Sequence, residues 1–378
     1  MDPVKLHFDF RDIFRAPRLA LSGKKIWTFM VGNFLGYSGY FLFTYIALFS
    51  SGISIIQSWE RFGLYPLVNV FNLPWFSLLI YFAGVLCAFI MLSLSCAAVS
   101  RITYKQLKGN DFYSSADAWN YIKKHWHPVV FTLIALSLII AFFVLMAGAF
   151  ALLGKIPFIG EFLFAIPYPL YFLGALFTLY SFVVIVVASI YIPIIVGSYE
   201  EDTMGTVFQS YVITWSQPWR IIAYHLILLP IFSIATAIFY GFFQLSFEFV
   251  NSVFGWVIGD KLNHIVDAAV SIVCPPLYAY GSVAGLSGTE WLSSGILAFF
   301  FFLLMLAVIG YSLSILSVGE TLMFIIFKMK SDDDNILARK DEEELEEEEN
   351  EDVPLDKLQE DDSSQEDNAL EESTSDSE

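Results

Sequence analysis

Long apolar stretches separated by short polar segments form the main pattern of this chain. A helix needs about 20 apolar residues to cross the hydrocarbon core of a bilayer, and six stretches reach that length. They contain no Asp, Glu, Lys or Arg, and only the fifth contains a histidine, His225. The pattern predicts six transmembrane helices, at about 26–49, 75–100, 129–153, 168–197, 221–245 and 292–318.

Composition excludes a water-soluble globular protein, because 57% of the residues are hydrophobic and only 15% are charged. The negative charge belongs to one segment, the acidic tail at 331–378, which has 23 Asp and Glu against three Lys and Arg. The 26–330 domain and the 1–25 segment before it are together almost neutral. A segment as acidic as the tail has too few apolar groups to fold, so we expect it to be disordered, as a solvated spacer or as a ligand for a basic partner.

Lys and Arg predict the orientation of the bundle. Fourteen of them lie before span one, in the even-numbered loops or just after span six, whereas the odd-numbered loops hold Arg61, Lys155 and Lys261. The positive-inside rule then puts both termini in the cytoplasm, with the bundle in the cell (inner) membrane. The apolar stretch 265–286 contains Asp267 and the break at Pro275 and Pro276, so it is predicted to be in-plane or re-entrant on the outer face, against the alternative of a seventh span.

Each odd-numbered span is preceded by a similar stretch, at 9–27, 114–130 and 202–222, which indicates an internal repeat. Trp119 and Trp126 align with Phe208 and Trp215, and seven-residue spacing puts each pair on one side of a helix. Asp9, Ser114 and Asp202 are candidate helix caps. The fold predicted is therefore all-α: three hairpins, each preceded by a cytoplasmic amphipathic interfacial helix. The candidate interfacial anchors are Trp27, Trp119, Trp126, Trp215 and Trp219. The alternative is that any cytoplasmic flank collects Trp and Lys without ancestral repetition.

Small residues in span one and prolines in later spans predict packing and bending. Gly32, Gly36 and Gly39 lie near one helix face, where they allow close approach of a neighbouring helix. Pro193 and Pro230 are candidate hinges, or simple kinks. The outer segments 154–169 and 244–270 are predicted to be apolar loops that lie on the bilayer or plug the bundle.

Residues for catalysis are missing from the spans. The sequence has no G-x-S-x-G, H-E-x-x-H or P-loop motif, and its three cysteines lack metal or redox spacing. We therefore expect no enzyme, no cofactor and no metal, with metal binding by His264 and Asp267 as a weak alternative. A nucleic-acid partner is not expected either.

The stretch ADAWNYIKKHW before paired spans, together with the opening FRAPRLALSGKKIW, resembles poorly characterised prokaryotic membrane proteins related to the membrane domain of glycerophosphodiester phosphodiesterases. The resemblance covers about 9–327 and implies a lipid-bilayer module of unassigned function. It does not carry over phosphodiesterase activity, because the chain has no segment for the soluble catalytic barrel.

Two functions fit this pattern. The first is a non-catalytic scaffold or accessory subunit that contacts lipids and other membrane proteins. The alternative is a passive transporter or channel for an uncharged or lipid-like solute. A continuous polar stripe facing one cavity would favour transport, and a dry interior would favour the scaffold; the candidate stripe residues are Ser181, Ser189, Ser233 and Thr236.

Overall fold

The structure is a computed structural model that describes residues 6–66, 73–273 and 286–351, and within those ranges it contains helices and no strands. Residues up to Leu337 form one compact unit and residues from Ala338 onward form a second. Short 3-10 helices occur at Phe10–Arg15 and Ile336–Ala338. The α-helices of the described residues are α1 (Ala16–Ala20), α2 (Gly23–Ser50), α3 (Ile55–Phe62), α4 (Trp75–Leu107), α5 (Ser115–Lys124), α6 (Trp126–Leu153), α7 (Ile159–Ala165), α8 (Tyr168–Tyr199), α9 (Thr203–Ser216), α10 (Pro218–Ile258), α11 (Asp260–Val273), α12 (Gly288–Asp332) and α13 (Glu342–Glu351).

Five of these helices, α4, α6, α8, α10 and α12, are long and apolar enough to cross a membrane. They cover the second to sixth predicted spans, so the prediction of an all-helical fold is confirmed and the helices are compatible with a membrane protein. Helix α2 covers the first predicted span with 28 residues but is not one of the five. Its glycines, its tyrosines and Asn33 lower its hydropathy, although its length of about 42 Å exceeds a bilayer core.

The prediction of a loop at 244–270 was wrong. Helix α10 continues to Ile258, and α11 begins at Asp260, so nearly the whole segment is helical. The break falls at Gly259, whose positive φ of 72° suits a residue without a Cβ. Apolar residues continue at helical spacing up to that glycine, so the helix extends beyond the predicted end at 245.

The predicted helices before the odd-numbered spans are present as α1, α5 and α9. All three caps are confirmed. Ser114 and Asp117 form a reciprocal capping box, the Asp202 side chain accepts a hydrogen bond from the Gly205 N–H, and the Asp9 side chain accepts one from the Arg11 N–H at the start of the first 3-10 helix. The prediction that Trp119 and Trp126 lie on one side of a single helix was wrong, because α5 ends at Lys124 and α6 begins at Trp126. His125 between them has φ −112° and ψ 29°, which interrupts the helix.

The tightly packed core lies at one end of the bundle. Here α4 is buried from Ala97 to Leu107 except at Gln106, α8 from Tyr191 to Ser198, and α12 from Thr321 to Lys328. Helices α1, α5 and α9 surround this end. Farther along, α6 and α8 present large apolar side chains outward, as at Leu145, which is 72% exposed. Lipid is as apolar as such side chains, so they need no protein neighbour inside a bilayer.

Part of the acidic tail is helical. In α13 the Asp341 carboxylate accepts a hydrogen bond from the Glu344 N–H at 3.1 Å, and Lys340 donates to Glu348 at 2.6 Å. Glutamate has a high helix propensity, which explains a helix where sequence composition suggested disorder. Residues 352–378 of the tail lie outside the described part.

Candidate functional site

Helices α2 and α4 pack side by side in opposite directions, and the glycines of α2 line the contact. A Cβ at Gly32 would lie 2.8 Å from the Ser95 Cβ, and one at Gly39 would lie 2.6 Å from the Cys87 Sγ. At the far end, the hydroxyls of Ser50 and Ser77 are 2.7 Å apart. The 18-residue advance from Gly32 to Ser50 therefore matches the 18-residue return from Ser95 to Ser77.

Gly36 lies midway along the same contact, where an added Cβ would be 3.1 Å from the Met91 Cβ. Small residues at these positions let the two backbones approach closely. On the α4 side Gly84 has the same role, because a Cβ there would meet the Phe43 Cβ at 2.8 Å.

Three tyrosine hydroxyls of α2 bind the backbone of the segment that follows α3. Tyr45 donates to the Gly63 carbonyl and Tyr40 to the Pro66 carbonyl, both at 2.6 Å, and Tyr37 donates to the Leu64 carbonyl. Tyr37 lies 13 residues before the end of α2, about 20 Å along its axis. The segment after α3 thus turns back along α2 to near its middle. Sequence reasoning treated it as an ordinary outer loop.

Helix α11 runs beside the first half of α12. Its Ala269 and Val273 form a small apolar core with Ala298, and Phe301 and Met305 pack against that core. The first turn of α11 is near the start of α12: Lys261 and His264 help to hold the Glu290 pKa below its ordinary value, after the larger effect of hydrogen bonds from Ser287. The in-plane or re-entrant placement of 265–286 stays a prediction. Residues 274–285 lie outside the described part.

The segment after α3 and helix α11 meet at Met305. The Tyr65 hydroxyl, from the segment after α3, donates to the Met305 Sδ at 3.8 Å, while Val273 of α11 belongs to the core that Met305 covers. Met305 lies near the middle of the predicted span 292–318. Irregular backbone at such a depth needs partners for its polar groups, and the α2 tyrosines supply them for three carbonyls.

Two grooves flank this meeting point. The α2/α12 groove has a volume of about 350 Å³ and is lined by Asn33, Gly36, Tyr37, Tyr40, Ala88, Phe89, Leu92, Phe302, Met305, Leu306 and Ile309. The α10/α12 groove, of about 440 Å³, shares Met305 and Ile309 with it. A third groove of about 760 Å³ lies between α6 and α8 and is almost entirely apolar. All three open sideways between helices.

The opposite end of the bundle carries a buried ion pair. Arg101 of α4 is fully buried, and its Nη1 lies 2.6 Å from the Glu200 Oε1 at the end of α8. Its guanidinium also lies 4.2 Å from the centre of the Tyr121 ring of α5. On α12, Lys328 pairs with Asp332 at 2.7 Å and covers the Tyr199 ring at 4.7 Å.

Basic residues of α2 belong to the same end. Lys24 donates to the Asp111 and Tyr113 carbonyls at 2.8 and 3.0 Å. Lys25 is fully buried and donates to the Leu19 carbonyl at 2.9 Å. Burial lowers the pKa of the Lys25 ammonium to about 7, and the charge of Lys24 beside it acts in the same direction.

The predicted anchor tryptophans lie at this basic end with differing exposure. Trp215 and Trp219 are 77% and 81% exposed, Trp27 is 58% exposed and Trp126 is 38% exposed. Trp119 is half-buried, and its buried Nε1 has no hydrogen-bond partner among the described residues. The other exposed tryptophans of the described residues lie at the opposite helix ends: Trp59, Trp75, Trp256 and Trp291.

The predicted polar stripe does not form. Ser181 is buried, with its hydroxyl 2.8 Å from that of Tyr211, whereas the half-buried Ser189 and the exposed Ser233 donate to carbonyls of their own helices. Thr236 has a buried hydroxyl without a described partner. None of the four lines a groove described above.

Helices α8 and α10 continue through Pro193 and Pro230, so their role as hinges stays a prediction. The His225 Nδ1 lies 2.8 Å from the Ile221 carbonyl of its own helix. Among the described residues, no three His, Cys, Asp or Glu side chains are grouped closely enough to hold a metal ion.

Comparison with known proteins adds no relative: no protein family, no curated protein and no solved structure matches the chain. The resemblance to membrane domains of phosphodiesterase relatives therefore stays a prediction.

Proposed function

We propose that the chain is a six-span, non-catalytic protein of the inner membrane that acts as a scaffold or accessory subunit. Its partners would be the surrounding lipids and other membrane proteins, with a basic protein as a further partner of the acidic tail. A cofactor and a nucleic acid have no part in this proposal.

The matched lengths of α2 and α4 support α2 as a membrane span, in addition to the five helices that are long and apolar enough to cross a bilayer. Since α4 is long and apolar enough to cross a bilayer, a helix that runs antiparallel to it over 18 residues occupies the same depth. Six crossings return the chain to the side where it began. Lys24, Arg101 and Lys328 lie at the same helix ends as the N-terminal segment, which supports the cytoplasm for that side.

The observation that carries the scaffold proposal is the separation of the four polar stripe residues. A pathway for a polar solute needs hydrogen-bonding groups along one cavity, and here the serines bind their own helices or Tyr211. The apolar surface is instead turned outward, where lipid or another helix covers it.

A passive pathway for a lipid-like solute is the second candidate, and the meeting of two outer segments at Met305 favours it. Transporters use non-helical segments near the bilayer midplane to build substrate sites. The grooves on either side of Met305 would hold an apolar solute better than a polar one.

Flux into liposomes separates the two candidates. Purified protein is reconstituted, and uptake of glycerol, urea and a fluorescent fatty alcohol is compared with that of protein-free liposomes. If the protein is a scaffold, uptake of each compound should equal that of protein-free liposomes. The protein extracted from native membranes in a mild detergent should also migrate as a complex larger than the purified chain. Faster, saturable uptake of any of them would reject the scaffold in favour of the pathway.

A further inference from the structure

A polar ladder on α10 lies where the bundle should be apolar. The Tyr240 hydroxyl donates to the Gln244 Oε1 at 3.4 Å, and the Gln244 Nε2 donates to the Glu248 Oε1 at 2.9 Å. The three residues are spaced by four and therefore share one face of the helix. All three are exposed.

The depth of this ladder follows from the helix that lies opposite. A Cβ at Gly319 of α12 would meet the Leu228 side chain at 2.6 Å, and the rings of Phe301 and Phe247 are 5.3 Å apart. Helices α10 and α12 are therefore antiparallel. Glu248, next to Phe247, lies opposite the segment around Phe301. That segment, LAFFFFLLMLA, contains no polar residue.

Tryptophan gives a second measure of depth. Trp256, which is 90% exposed, lies eight residues after Glu248, about 12 Å along α10. Tryptophan prefers the headgroup region, so Glu248 lies on the bilayer side of Trp256, at the apolar boundary beside the Phe301 segment. Ionisable residues at such positions are costly, and they are retained chiefly where they bind something.

A groove of suitable size lies beside the ladder. The α10/α12 groove, of about 440 Å³, is lined by Tyr240 and Gln244 of the ladder, and otherwise by apolar side chains: Phe243, Phe247, Val270, Val273, Phe301, Leu304, Met305, Val308 and Ile309. Its volume lies in the range of small-molecule sites, which combine an apolar lining with a few polar groups. It is partly open to its surroundings, and Tyr240 and Leu304 of its lining are exposed, so a ligand can enter.

The charge of the ladder selects the ligand. Glu248 accepts one hydrogen bond, from Gln244, and no Lys or Arg among the described residues forms an ion pair with it. A carboxylate in a medium of low dielectric is stabilised most by a cation. We infer that the α10/α12 groove binds a lipophilic amine, with its ammonium group at Glu248 and its alkyl chain between Phe247, Val273 and Met305. This site is independent of whether the chain is a scaffold or a pathway.

Thermal unfolding of the full chain in detergent tests the site, with dodecylamine as the probe and dodecanol and dodecanoate as comparisons of equal length. We expect dodecylamine to raise Tm in a saturable way, with an affinity about tenfold above that of dodecanol, and dodecanoate to have no effect. Equal effects of amine and alcohol would overturn the proposal, because they would show apolar binding alone.

Variants give a second test. Glu248→Gln keeps the hydrogen-bonding shape and removes the charge, so the preference for amine over alcohol should be lost. Val270→Phe fills the groove and should weaken both ligands. Glu161→Gln, at an exposed carboxylate on α7, is the matched control and should keep the preference. If Glu248→Gln retains Tm and still prefers the amine, Glu248 does not bind the ammonium and the proposal fails.

Discussion

Arg101 and Glu200 form an ion pair with Nη1 and Oε1 2.6 Å apart, and they join the ends of α4 and α8 where the bundle is packed most tightly. The Arg101 side chain is fully buried, while the Glu200 side chain retains 19% exposure. A buried guanidinium that loses its carboxylate keeps its desolvation cost without the compensating attraction.

Glu200→Gln should therefore destabilise the protein by about 3 kcal/mol, because removal of one partner leaves an uncompensated buried charge. The measurement is the midpoint of denaturant unfolding in detergent. Glu60→Gln, at an exposed carboxylate of α3, is the control and should change the midpoint little. An equal effect of the two variants would show that the ion pair does not stabilise the fold.

Substitution of the α2 glycines should separate α2 from α4. Gly32→Ala puts a Cβ 2.8 Å from the Ser95 Cβ, so we expect a loss of about 1–3 kcal/mol from overpacking. Gly241→Ala, in α10 with open space around it, should be neutral or slightly stabilising. Unfolding of both variants in the same detergent checks this, and a neutral Gly32→Ala would contradict the close contact.

Stability should depend on pH through Lys25. Its pKa is about 7 in the folded protein and near the ordinary lysine value when unfolded, so the unfolded chain binds more protons between those two values. Burial of the Lys25 ammonium therefore lowers the free energy of unfolding by its full amount below pH 7. This loss disappears as the pH rises toward 10. Lys25→Met should therefore raise Tm at pH 6 and lose this advantage at pH 9.5. A pH-independent difference between wild type and variant would contradict a buried ammonium.

The tyrosine contacts to the segment after α3 should protect that segment from exchange. Each of Tyr37→Phe, Tyr40→Phe and Tyr45→Phe leaves a carbonyl of residues 63–66 without its donor, at a cost of about 1 kcal/mol each. Hydrogen exchange of the 63–65 amides should be fastest in the triple variant. Tyr168→Phe, at an exposed tyrosine of α8, serves as a control that leaves exchange there unchanged.

Cysteine labelling tests the six-span topology. Ser54→Cys lies beyond α2 and Ser331→Cys lies near the end of α12, and both positions are exposed. A membrane-impermeant maleimide should label Ser54→Cys in intact cells and label Ser331→Cys only after permeabilisation. Labelling of both in intact cells would exclude six crossings.

The apolar stretches predicted most of the helices because length and hydropathy are local properties of the chain. The helix caps at Ser114 and Asp202 were also predictable, since each depends on residues three apart. The end of α10 was not, because the polar residues Gln244 and Glu248 look like a membrane boundary in the sequence but lie inside the helix, which continues to Ile258.

The re-entry of the segment after α3 depends on contacts between distant residues. Tyr37 and Tyr40 have the appearance of ordinary core aromatics in the sequence, and their role appears only when Leu64 and Pro66 lie beside them. The sequence places Glu248 in an outer loop for a similar reason, because the contact between Phe247 and Phe301 of another helix, which places Glu248 beside an apolar segment, joins residues far apart in the chain.

The confinement of tight packing to one end has an evolutionary consequence. Exchanges among Leu, Ile, Val and Phe between 138 and 186 change surfaces that mostly face lipid, so selection would tolerate them and this part of the sequence would drift quickly. The same exchanges at Tyr191, Ile194 or Ile195, which are fully buried, would leave cavities or clashes. Descendants of this protein would keep the basic end recognisable long after the opposite half had diverged.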